Sequence, residues 1–140
     1  MKYCLNILIF FLFLNSCVTG RDLKKTVLSI EGHELQVEIA KSIIEKQKGL
    51  QGRTFLHENK GMLFIYNKPQ ILSFWMKNTL IPLSIAFIDK KSIITQIEDM
   101  EPNDITPIKS SDKCLFALEV NKDWFKKNHI KTGDKILGLN

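Results

Sequence analysis

From Gly61 onward the chain keeps returning to short apolar runs, "GMLFIY", "ILSFWM", "LSIAFID", "SIITQI" and "CLFALEV", each closed by a polar or proline-bearing stretch. Runs of this length, rich in Ile, Phe and Val, suit strands and are short for helices. Pro69, Pro82, Pro102 and Pro107 fall at or near the edges of these runs, where a residue without an N–H interrupts no ladder. Upstream, "TVLSI" and "ELQVEIA" flank "EGH", and the second alternates Leu35, Val37 and Ile39 with Gln36 and Glu38. That alternation reads as a hairpin with one wet face. "GDKILGL" supplies a last strand near the C-terminus.

Two segments break the strand pattern. In "KSIIEKQKG", Ser42 is placed as an N-cap, Glu45 three residues later completes a capping box, and Gly49 offers a stop. In "NKDWFKKNH", Asn121 is the expected N-cap and Asp123 an early acid ahead of Trp124 and Phe125. About seven or eight short strands with two small helices predict an all-β fold, a barrel or a jelly-roll-like sandwich. With 140 residues, an apolar share of 44% and a charged share of 25%, the chain has the size and composition of one ordinary globular domain. No internal repeat or low-complexity segment interrupts it.

The N-terminus is different. "MKYCLNILIFFLFLNSC" carries Lys2 and then an apolar run from Leu5 to Leu14 broken only by Asn6. The run is too short to cross a bilayer comfortably and has the charge, length and small-residue ending of a secretory signal. "LNSC", Leu14 to Cys17, resembles a bacterial lipobox, with Asn15 a less usual occupant. The resemblance implies cleavage after Ser16 and a lipid thioether on Cys17. An ordinary signal peptide with an incidental cysteine is the alternative. The expected organisation is a signal peptide over 1–16, a lipidated tether over 17–25 and a single β domain over 26–140. The membrane is then a partner through Cys17, and the chain is exported and anchored to the cell envelope, on its periplasmic or outer-membrane face.

Losing Lys2 lowers the formal charge from +5 to +4. Lys and Arg are scattered from Arg21 to Lys135 without a block, so no basic stripe points to nucleic acid. With Cys4 in the signal and Cys17 lipidated, Cys114 has no disulfide partner and is expected to pack as a small hydrophobe. His33, His57 and His129 are dispersed, so no metal site and no cofactor is expected. Nor does a serine, histidine and acid arrangement or a nucleophile elbow emerge.

The polar residues inside apolar runs are the ones that need explaining. In "ILSFWMKN" alternation sets Ser73, Trp75 and Lys77 on one face and Leu72, Phe74 and Met76 on the other. Trp75, Lys77, Asn78 and Thr79 at a strand end make a ligand platform, an aromatic surface with polar tips to fix orientation. The alternative is a surface Trp covered by a lysine stem, with Asn78 making a turn. Glu119 lies in "CLFALEVN", sharing a strand face with Ala117 and Leu115. Burying its carboxylate unpaired is costly, so a cation is expected beside it if the strand is central. Lys77 is the expected partner and Arg53, in "GLQGRTFL", the other candidate. Arg53 could instead clamp Asp89 or an acidic ligand. On a barrel face open to water, Glu119 needs no partner at all.

Taken together, "GLQGR", "GMLF", "FWMKNTLIPL", "AFID", "LEVN" and "IKTGD" resemble, from about Val37 to Ile136, the bacterial and archaeal family catalogued as domain of unknown function 192. The resemblance implies a compact β-rich, barrel-like fold with small helices, often exported behind a signal peptide, and no established activity. Its recurrent polar residues fall on Arg53, Lys77, Asn78, Asp89 and Glu119, with Trp75, Met76 and Thr79 between them. The loop "ITPIKSSD" lacks the tyrosine the family places ahead of the serine. The expectation is a non-enzymatic envelope module with a small polar pocket. It would bind a small polar or saccharide ligand, or a partner protein, through Arg53, Trp75, Lys77, Asn78, Thr79, Asp89 and Glu119. An enzyme acting on envelope polysaccharide with Glu119 as its acid or base, and a purely structural motif, are the competing expectations.

Overall fold

The computed structural model describes residues 22–139. The expected signal peptide over 1–16, which holds Cys4, and the expected lipidation site Cys17 in the tether lie outside them. Nine strands and two short helices follow in order: β1 Lys25–Ile30, β2 His33–Ala40, α1 Ile43–Lys48, β3 Lys60–Gln70, β4 Ser73–Phe74, β5 Leu83–Ile88, β6 Ile94–Met100, β7 Ile108–Lys109, β8 Cys114–Asn121, α2 Trp124–Lys127 and β9 Ile136–Leu137. The main sheet has the order β6-β5-β8-β3-β2-β1-β9, and β4 with β7 forms a separate two-stranded ladder. The sheet curls into a half-barrel whose edges meet at one end. There Ile93 bridges Lys135, the Ile136 N–H donates to the Ser92 carbonyl at 2.8 Å, and the Ile94 N–H donates to the Asp134 carbonyl at 3.0 Å.

The hairpin expected around "EGH" is β1–β2, turning at Glu31 and Gly32, both with positive φ. That is the geometry a tight two-residue turn needs to match strand twist. β2 then pairs parallel with β3. A parallel pair requires a long connection, and α1 with the loop after it provides one. α1 has the capping box expected of it: the Ser42 hydroxyl accepts from the Glu45 N–H while the Glu45 carboxylate accepts from the Ser42 N–H.

Two corrections apply. The stretch "ILSFWM" is strand only at Ser73–Phe74, because the Met76 N–H is given to the Asp104 carbonyl at 2.7 Å and the chain turns. Asn121 does not cap α2. It ends β8, and its amide donates to the carbonyls of Leu56 and His57 at 2.9 and 3.1 Å. Asp123 precedes the helix in a left-handed conformation and makes no side-chain cap.

β5, β8 and the Gly61–Phe64 part of β3 are buried on both faces, which explains why their sequences read as nearly continuous apolar runs. One face joins Leu28, Leu35, Leu63, Leu118 and Val120 to Trp124 and Phe125 of α2. The other joins Met62, Phe64, Ile85, Phe87 and Ala117 to Leu50, Leu72 and Met76, which arrive from the segments covering it. Cys114 is a free thiol buried on this second side. Burial pushes its pKa up, as befits the packing residue the sequence implied.

Candidate binding site

β8 is a central strand, with β3 on one side and β5 on the other. Glu119 stands opposite Met62 in one ladder and Ile85 in the other. Both neighbours are fully buried, and Glu119 itself is only 5% exposed. Its carboxyl group is therefore fixed among hydrocarbon by backbone pairing on both sides. Among the described residues no cation and no hydrogen-bond donor is paired with it. Desolvation alone raises its pKa from 4.5 to about 8. The group is accordingly protonated at neutral pH, because burial penalises only the charged form.

Glu119 opens onto a cavity of about 580 Å³ between the sheet, α1 and the segment after β3. A cavity of that size holds a small molecule. The wall is made by an irregularity in β3. Its pairing with β8 runs regularly to Ile65, lapses, and resumes only at Gln70 opposite Cys114. Pro69, which has no N–H to give a ladder, lies in the lapse. Tyr66 and Gln70 flank this interruption and both line the cavity. α1 supplies Lys46, whose ammonium donates to the Ile65 carbonyl at 3.2 Å and sits 4.3 Å from the Tyr66 ring centroid. Burial first, and the nearby Glu119 charge second, raise the Tyr66 pKa.

The expected site residues divide. Glu119, Thr79 and Trp75 line the cavity together. Thr79 is buried, whereas Trp75 stands 51% exposed at the rim. Lys77 does not pair with Glu119. It points to solvent with its ammonium 5.3 Å from the Trp75 ring centroid, although both residues lie beyond β4 and the strand alternation expected of them does not extend that far. Asn78 serves the turn: it holds φ at 56°, which asparagine tolerates better than most residues, and its carbonyl accepts from the Gly52 N–H at 2.9 Å. Arg53 is ion-paired with Glu38 and lines other depressions. Asp89 closes the β5–β6 turn, its carboxylate accepting from the N–H groups of Lys91 and Ile93 at 2.8 and 2.9 Å. Neither reaches Glu119.

Tyr66, Gln70, Ser73, Lys46 and Lys48 are among the polar cavity residues that sequence reading missed. The available signal was Pro69 inside an apparent strand, which marks an irregularity but not what fills it. Among the described residues no group of three or more His, Cys, Asp or Glu is placed to hold a metal ion.

The curled half-barrel with two small helices places the chain among mostly β proteins. The family model DUF192, described as "Uncharacterized ACR", matches residues 26–138, and the chain belongs to that family. Among solved structures, the chain is similar to a protein from Sinorhizobium meliloti 1021 described as a candidate transcription regulator. The two are 29% identical with a TM-score of 0.80, over 82% of this chain and 94% of that one. It is also similar to a protein of unknown function from Novosphingobium aromaticivorans DSM 12444, at 34% identity and a TM-score of 0.79, over 86% of this chain and 88% of that one. No curated protein matches the chain.

Proposed function

We propose that the protein is a lipid-anchored cell-envelope module that binds a small polar ligand in the cavity floored by Glu119 and fronted by Trp75. The observation that carries this reading is the carboxyl group of Glu119, buried without a partner yet facing a cavity large enough for a ligand. No cation among the described residues is paired with it, and a bound cation would supply that partner. Trp75 offers broad contact area at the rim, and Thr79, Ser73 and Gln70 offer hydroxyl and amide groups around it. The anchor rests on the first seventeen residues, whose apolar run ends in "LNSC".

A second reading is an enzyme that uses Glu119 as a general acid, a role for which a carboxyl protonated at neutral pH is suited. Glycoside hydrolysis ordinarily takes two carboxyl groups, and Glu119 is the only acid among the described residues lining the cavity. Binding is therefore the reading that needs fewer further parts.

The test is thermal unfolding of the full chain in mild detergent against monosaccharides, amino acids and small carboxylates. A ligand at about 100 times its dissociation constant adds roughly 2.7 kcal/mol of stability. The reading expects a rise in Tm with at least one probe that is lost when Trp75 is replaced by alanine. A rise that survives Trp75→Ala, or none with any probe, would sink it.

A further inference from the structure

The unpartnered acid, the aromatic walls and the lysines of α1 constrain the ligand more narrowly than the word polar does. Phe64, Tyr66, Phe74 and Trp75 all line the cavity that Glu119 floors, and Lys46 and Lys48 line it from α1. We propose that the cavity takes a small zwitterion, its ammonium seated against Glu119 among the aromatic rings and its carboxylate or phosphate directed to Lys46 and Lys48. This rests on the binding reading above and names the ligand class for the same site.

A carboxylate surrounded by Met62, Ile85 and Phe64 is best satisfied by a cation, and aromatic rings attract ammonium groups through their π faces. A neutral ligand could take only a hydrogen bond from the protonated acid and would leave the lysines without an anion. A purely anionic one would meet the acid at the floor. A simple amine would leave the lysines that α1 brings to the cavity without an anion. Lys46 has one donor given to the Ile65 carbonyl and two more to offer. The shared chemistry is an ammonium a few bonds from an anion, found both in free amino acids and in the phosphoethanolamine headgroup of a lipid.

The proposal fixes the direction of the pH dependence. The groups facing Glu119 are Tyr66 from β3, whose pKa is raised, and Lys46 and Lys48 from α1; β5 presents Ile85, and the segment after β4 presents Trp75 and Thr79. Glu119 is protonated in the empty cavity and must release its proton to pair with an ammonium. Affinity for a zwitterion therefore rises with pH, by about tenfold per unit while Glu119 is protonated, and levels off near its pKa. A neutral sugar accepting a hydrogen bond from the protonated acid shows the opposite trend, weakening above that pKa.

Isothermal titration of the full chain in detergent with alanine, O-phosphoethanolamine, ethanolamine and glucose, at pH 6 and pH 7 and in two buffers of different ionisation enthalpy, tests this. The expected result is binding of alanine or phosphoethanolamine, about tenfold tighter at pH 7 with close to one proton released. Whichever binds tighter identifies the free or the headgroup source. Ethanolamine should bind at least about tenfold more weakly. Glu119→Gln, which keeps the side chain's size, should abolish the pH dependence and weaken binding at least about tenfold, and Lys46→Ala should erase the advantage over ethanolamine. Tighter binding of glucose, a flat pH profile, or zwitterion binding unchanged in Glu119→Gln overturns the proposal; the first leaves the binding reading standing. Silence from all four probes overturns the proposal as well, while the wider panel of thermal-shift probes still decides the binding reading by itself.

Discussion

Gly61 and Glu119 approach so closely across the β3–β8 ladder that a Cβ on the glycine would run into the Glu119 carbonyl oxygen, with the Val120 side chain 3.1 Å away. The glycine is thus what lets β3 lie close against the strand that carries the acid. Gly61→Ala should force the two strands apart and cost about 1–3 kcal/mol, the usual range for overpacking. Urea unfolding checks this, and an unchanged midpoint would show that the ladder has slack.

The titration of Glu119 makes stability depend on pH with a definite sign. Its pKa is 4.5 when unfolded and about 8 in the folded chain, so the folded state holds the proton more tightly. The resulting stabilisation is fully present below about 4.5, falls as pH rises, and is gone once pH passes about 8. At 1.36 kcal/mol per pKa unit the total is on the order of 5 kcal/mol. Glu119→Gln removes this component. Unfolding midpoints from pH 5 to 9 should therefore fall more steeply with rising pH in the parent than in the variant; equal slopes would mean that Glu119 is ionised in the folded chain.

Lys77 stacks on Trp75 at the surface and has no part in holding Glu119. Lys77→Met should cost less than about 1 kcal/mol, as expected for an exposed cation–π contact, and leave the pH slope untouched. Denaturant melts at pH 6 and pH 8 decide it, since a slope altered by the substitution would mean that the lysine charge reaches Glu119.

The proposed anchor predicts that Cys17→Ser releases the protein from the membrane. In cells fed labelled palmitate, the parent should carry the label and sediment with membranes, and the variant should carry none. Label retained by the variant would refute lipidation at Cys17.

Local features were legible in the sequence. The β1–β2 hairpin, the Ser42 and Glu45 capping box, and the turn at Asn78 all depend on neighbours a few residues away. Glu119 stood out because an acid in an apolar strand is costly wherever it lies. What it faces was not legible. The parallel β2–β3 pairing, the lapse that sets Tyr66 and Gln70 beside the cavity, and the lodging of α1 along its wall are long-range arrangements that periodicity does not encode. The same limit misassigned the cations. Lys77 and Arg53 were natural partners for a buried acid, yet Glu38, two residues before Ala40 at the end of β2, takes Arg53. Lys77, beyond the point where β4 stops, turns outward. At α2, Asn121 had the composition of a cap but was retained by β8 to tie down the carbonyls of Leu56 and His57.

The central claim is that Glu119 is a buried acid without an internal partner, facing a ligand cavity. Carbon-13 NMR of the side-chain carboxyl groups, assigned by comparison with Glu119→Gln and followed from pH 4 to pH 10, tests it most directly. The account predicts one resonance with a midpoint near 8 that moves to lower pH when a bound ammonium compound saturates the site. A midpoint at or below 4.5 in the ligand-free protein would mean that a cation or donor already satisfies Glu119, and would contradict the account.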